Sequence, residues 1–182
     1  MGSKKWAVVG GCVAVALVVL YFTFFRSSDE DKIRKTLTTF GQIVMVKDGD
    51  TILSRTARLR SRMKEVVDED VRVNVSELNI DVRGRTKLEE DAAKAGLLYA
   101  KADVDFTSVS IKIDAPEATV ATVEAVALVT SSHGGDPRRV PTPPGGSGGE
   151  RQIDKRDVHF LLRKDGADWK ITTIDVAAKK SD

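Results

Sequence analysis

At Val71 the spacing of apolar residues changes from three-and-four to two, and it holds at two for most of the way to Val176. A helix aligns positions three and four apart, whereas a strand aligns every second one. The chain therefore reads as an α+β domain, with helices first, one more helix after the change of period, and strands for the remainder.

Ahead of the change, Ile33, Leu37, Phe40 and Val44 follow an acidic first turn capped by Ser28 or Asp29, which predicts an amphipathic helix weakened near its end by Gly41. Lys47-Asp48-Gly49-Asp50 is a turn, with Asp50 expected to cap a second helix lined by Ile52, Thr56, Leu59, Met63 and Val66 or Val67. Arg55, Arg58, Arg60, Arg62 and Lys64 fall largely on its other faces and are expected in solvent. Past Gly84, Thr86-Lys87-Leu88-Glu89 has the form of a capping box. It opens a third helix with a narrow face of Leu88, Ala92, Ala95 and Tyr99, small enough in the middle to lie close against a sheet.

Val71, Val73 and Val75 alternate with polar residues, and Leu78, Ile80 and Val82 resume in opposite phase, as in a bulged strand or a short hairpin. Val104, Phe106 and Ser108 give way to Val109, Ile111 and Ile113, a phase shift that marks a bulge or bend. After a turn at Pro116, Val120 to Val129 is nearly continuous in apolar residues and is expected to be buried on both faces. Val158 to Leu162, a turn at Lys164-Asp165-Gly166, and Trp169 to Val176 complete four antiparallel strands in a meander. Residues 131–152 interrupt it with four of the five prolines and six of the fourteen glycines, too many for a packed element. This flexible insertion reads either as a tolerated surface loop or as a partner-binding arm centred on Arg138, Arg139, Pro141, Pro143 and Pro144 in polyproline conformation.

Trp6 to Phe25 is a run of twenty residues without a charge. About 20 apolar residues cross the hydrocarbon of a bilayer. The run is longer than a signal-peptide centre and ends in bulky aromatics instead of a small-residue cleavage site. Cys12 after Val9-Gly10-Gly11 stands too early in the run for a lipoprotein signal. The expectation is an uncleaved single-pass anchor at 6–25, with Trp6, Tyr21 and Phe25 at the two interfaces of an inner (plasma) membrane. Lys4-Lys5 would hold a tail of residues 1–5 in the cytoplasm, placing a domain of residues 29–177 in the periplasm or outside the cell.

Lys4, Lys5 and Arg26 are three of the chain's 29 bases, so 26 bases face 27 acids in the rest, and no basic surface for nucleic acid is expected. Cys12 is the only cysteine, which excludes a disulfide framework.

Two helices, a broken strand pair, a third helix after Gly84-Arg85, and a meander closing in DVHFLLRKDGADWKITTIDV together resemble the nuclear-transport-factor-two-like superfamily, also called SnoaL-like or ketosteroid-isomerase-like, with a cystatin-like fold. The resemblance covers about residues 30–177 and rests most on Val158 to Val176. It implies a curved antiparallel sheet wrapped around three helices into a cone with an internal pocket. It also implies a choice of roles, since members include isomerases, dehydratases and purely structural assembly domains. The layout of short tail, one anchor and outward domain is similar to inner-membrane assembly components of secretion systems. Dimerisation through the open sheet face is what the resemblance implies for self-association.

An acid-base enzyme of this shape needs an inward carboxylate or imidazole beside a hydrogen-bond donor. The candidates are Tyr99 and Asp103, where the third helix meets the sheet, His159 within a strand, and Asp175 in the last one. His133 falls in the insertion. No histidine pair has metal-ligand spacing and no phosphate-binding glycine loop is present, so neither metal nor cofactor is expected. The sequence thus favours a membrane-tethered binding or assembly domain, meeting the bilayer and envelope proteins. The alternative is a small-apolar-ligand binder or acid-base enzyme using the cone pocket.

Overall fold

The structure, a computed structural model, describes residues 29–115, 118–133 and 152–177. The apolar run with Trp6, Tyr21 and Phe25, the turn at Pro116, and Arg138, Arg139, Pro141, Pro143 and Pro144 lie outside the described residues. Among the described residues no helix is long and apolar enough to cross a membrane.

Helix α1 occupies 29–44 and buries Ile33, Leu37, Phe40 and Ile43 at helical spacing. Gly41 sits where α1 meets the sheet: a Cβ there would lie 2.6 Å from the Val104 carbonyl oxygen, so the close approach depends on glycine. After the turn at Gly49, α2 (Ile52–Val66) is capped by Thr51 instead of the expected Asp50, in a reciprocal box with Ser54. Asp50 is drawn away by Arg58, which donates to both its oxygens at 2.9 and 2.6 Å, and it also accepts from the Lys47 amide. The buried face of α2 is Arg55, Leu59, Met63 and Val66, while Ile52 is exposed. An arginine has taken the core position that the apolar pattern had assigned to Ile52 and Thr56.

Strand β1 (Val67–Val75) leaves α2 directly, and a 3-10 turn (Ser76–Leu78) with Asn79 in the left-handed region folds it onto β2 (Ile80–Arg83), so the change of phase is a hairpin. Helix α3 (Arg85–Leu98) starts one residue before Thr86, behind Gly84 at φ 84°, with no side-chain cap. Glu89 is instead buried beside Arg85, at 3.6 Å. Then come β3 (Tyr99–Ile113), β4 (Val120–His133), β5 (Gln152–Asp165) and β6 (Asp168–Val176). The phase change in β3 is a bulge at Ser108, φ 52°, where the register with β4 shifts. Gly166, φ 61°, makes the tight turn between β5 and β6.

The six strands form one sheet in the order β2-β1-β6-β5-β4-β3. The expected meander β3 to β6 is antiparallel throughout. The sheet as a whole is mixed, which corrects the expectation of an antiparallel one: β1 runs parallel to β6, Val73 beside Ile174. The reason is connectivity. Helix α3 carries the chain across to the far edge before the meander starts, and its fourth strand returns beside β1 in the same direction. Strand β4 also departs from the expectation of burial on both faces. Ala121, Val123, Ala125 and Ala127 are buried, whereas Thr122 and Glu124 on the other side are exposed and Val126 is half-buried. Residues 131–133 and Gln152, read from sequence as part of the insertion, are strand, and His133 pairs with Tyr99.

Candidate functional site

Strand alternation decides what faces the helices. Phe106 on β3, Val123 and Ala127 on β4, Phe160 on β5 and Ile174 on β6 stand in register on the inner face. Small alanines on β4 leave room that rings fill. Phe160 and Phe106 meet edge to face at 5.2 Å, and Phe40 of α1 closes over both at 6.5 and 6.3 Å. The inner face is therefore packed with aromatic carbon at its centre.

The sequence candidates do not converge there. Asp103 lies opposite Thr130, on the face away from Ala102 and Val104, and pairs with Lys101 at 3.3 Å. His159 alternates with buried Val158 and Phe160, so it is exposed on the outer face, in register between Glu124 and Asp175. Tyr99, the first residue of β3, is half-buried beside His133 in the register. Asp175, like His159, is on the outer face. Among the described residues no group of three or more His, Cys, Asp or Glu side chains is spaced to hold a metal ion.

Among the described residues the buried ionisable groups are Asp29, Arg55 and Glu89, at positions whose sequence pattern suggests helix caps or solvent. Arg55 is 1% exposed and donates to the carbonyls of Val44, Met45 and Ala92 at 2.5 to 3.0 Å. Burial, reinforced by the neighbouring Arg58 charge, pulls its guanidinium below the ordinary value, partly offset by Asp50. It joins the C-terminal end of α1 to α3, where the helix dipole favours a cation. Asp29 accepts from Trp169 Nε1 at 3.2 Å and Lys164 Nζ at 2.9 Å. Burial pushes its carboxyl up, but these two partners outweigh burial and hold it below the usual range. Towards one end of the inner face, Arg156 of β5 bridges Asp154 and Glu77. The hydrogen bonds it donates to Asp154 and then to Glu77 raise its pKa.

Among the described residues, depressions open on both sides of the sheet. Between α1 and the edge strand β3, a groove of about 370 Å³ has Leu37, Val104 and Phe106 as its floor and Thr38, Gln42 and Asp105 among its rim. Between α2 and α3, one of about 270 Å³ runs along Ile52, Thr56, Ala93 and Leu97, with Arg60 and Glu90 at the rim. The third, about 350 Å³, opens on the outer sheet face at Asp68, Arg72 and Arg163.

A curved mixed sheet with an edge-strand groove and three helices on its inner face is matched by solved structures over nearly the whole chain. A nuclear transport factor 2-like superfamily protein from Salmonella enterica superposes with a TM-score of 0.61 at 10% identity, covering 86% of this chain and 94% of the other. The fold is that of nuclear transport factor 2-like proteins. A nuclear transport factor 2-like protein with a cystatin-like fold from Novosphingobium aromaticivorans gives 0.56 at 13% identity, covering 91% and 86%. A candidate scytalone dehydratase from the same organism gives 0.61 at 14%, covering 87% and 89%. At these identities the likeness is one of fold. No family model matches the sequence, nor does any curated protein.

Proposed function

We propose that the nuclear transport factor 2-like domain of this chain acts by binding, without catalysis, as a component of a cell-envelope assembly tethered to the inner membrane by residues 6–25. The observation that carries the reading is the filled cone. Phe40, Phe106 and Phe160 hold the space an acid-base site would need, while Asp103 and His159 face away from it. A general base must reach the proton it removes, and here neither group shares a cavity with a hydrogen-bond donor above an apolar floor.

Exposed apolar side chains along α2 and α3 support the reading. Leu53 is 83% exposed and Leu97 65%, beside the groove that Ile52 and Leu97 line together. Ile52 and Leu97, 54% and 65% exposed, share one groove, and contiguous exposed apolar surface marks protein interaction sites. Confinement to a membrane raises the effective concentration of such a surface for partners in the same plane.

The test is site-specific photo-crosslinking from position 53 of the full chain in intact cells, followed by carbonate extraction of the membranes. The expected result is a crosslink to one envelope protein, lost on Leu97→Glu, with the chain retained in the extracted membranes. Release of the chain by carbonate would refute the tether. Turnover of a substrate that disappears with Asp103→Asn or His159→Gln would refute the non-catalytic reading.

The groove between α1 and β3 supports a second reading, a small apolar ligand lying on Phe106 with polar groups at Gln42 and Asp105. Displacement of an apolar dye that is abolished by Val104→Trp, with folding intact, would favour it.

A further inference from the structure

Two sheet irregularities meet on the outer face. Between the pairs Val67–Ile171 and Arg72–Thr173, β1 advances five residues while β6 advances two. Between Leu161–Thr173 and Leu162–Ile171, β6 in turn carries one extra residue, Thr172, whose hydroxyl donates to the Leu161 carbonyl at 3.0 Å. Surplus chain on one strand bows out of the sheet and re-aims its side chains. The bow in β1 carries Asp68 and Asp70, with Arg72 at its end, and the depression of about 350 Å³ lies beneath them.

Four charges line this depression, and two of them neutralise each other. Arg163 donates to Asp68 at 2.8 Å, and Asp68 also accepts from the Asp70 amide at 3.2 Å. Burial pushes the Asp68 carboxyl up, yet the Asp70 amide and Arg163 outweigh it, so Asp68 stays ionised and committed to that pair. What remains is one carboxylate, Asp70, and one guanidinium, Arg72, two residues apart on the same side of the strand, both exposed. The back wall is aliphatic, from the exposed side chains of Val120 and Leu161. A pocket of zero net charge that offers one group of each sign beside aliphatic carbon complements a neutral, dipolar, aliphatic molecule. A simple anion or cation would satisfy one group and face the other with like charge.

The geometry points to a binding site for a zwitterionic aliphatic amino acid, its carboxylate on Arg72, its ammonium on Asp70, and its side chain against Leu161 and Val120. This site is on the sheet, apart from the helical surface proposed for a protein partner, and does not depend on that surface.

The probes are leucine, N-acetylleucine, which keeps the carboxylate alone, and leucinamide, which keeps the ammonium alone. Each is titrated into the purified full chain in detergent, with heat and amide shifts as readouts. Leucine should bind saturably, and each blocked analogue should bind about tenfold more weakly, the cost of one charge-assisted hydrogen bond. Arg72→Gln should lower leucine to the level of leucinamide and leave leucinamide unchanged. Asp70→Asn should lower leucine to the level of N-acetylleucine. Both side chains are exposed, so circular dichroism of either variant should match that of the parent. Absence of saturable leucine binding, any order in which leucine is not the tightest, or leucine affinity that survives both substitutions would overturn the assignment.

Discussion

Asp29 and Trp169 are joined by a hydrogen bond of 3.2 Å between residues 140 positions apart in the chain, and Lys164 lies over the same indole at 5.6 Å. The first described residue of α1 is thereby fastened to the turn between the last two strands.

The Asp29 contact should be visible as a pH effect. Its carboxyl is held below the ordinary 3.8, so the folded state binds fewer protons than the unfolded one in that range. The stabilisation is complete above about pH 4 and is lost as pH falls through the folded value. Asp29→Asn should cost about 1 kcal/mol at pH 7 and progressively less below pH 4. Urea denaturation of both proteins at pH 7 and pH 3 measures the difference.

Arg55 should be intolerant even of lysine. An ammonium cannot reach three carbonyls on two elements at once, and each unsatisfied buried acceptor is costly. Arg55→Lys is expected to destabilise by about 2 to 4 kcal/mol, while Arg62→Lys on the exposed side of α2 should fall within about 0.5 kcal/mol. Paired denaturation midpoints check both.

Gly41→Ala sets helix propensity against contact. Alanine favours a helix over glycine by about 1 kcal/mol, but a Cβ 2.6 Å from the Val104 oxygen forces α1 off the sheet. The contact should win, with a net loss of about 1 to 2 kcal/mol, read as a lowered melting temperature.

Phe160→Ala should remove the centre of the ring cluster. A loss of about 3 to 5 kcal/mol is expected, together with uptake of an apolar probe such as xenon into the vacated space. Unchanged stability would mean that the cone was not packed by this ring.

Much of this could be read from the sequence, and the failures share a cause. Alternation marks the breaks between Val75 and Leu78 and after Phe106, though not which is a hairpin and which a bulge, and Lys164-Asp165-Gly166 marks the closing turn, because period and turn chemistry are local. The expectation of Arg55 in solvent fails because a charge at a helix position says nothing of the carbonyls of Val44 and Ala92 that folding brings beside it. Asp50 has the sequence form of a cap, and its bond to Arg58 exists only once turn and helix are assembled. The parallel pairing of β1 with β6 has no local signal at all. The pocket at Asp70 and Arg72 depends on a mismatch of strand lengths that appears only once both strands are in register.

The parallel pair also sets an order of assembly. Val73 waits for Ile174, about a hundred residues later in the chain, before its free edge is covered. Until the last strand is synthesised, β1 and β2 form at most an isolated ribbon, which is marginal in water. A nascent chain of this kind leaves the β1 edge open until β6 has been delivered, so the sheet closes only after all six strands exist.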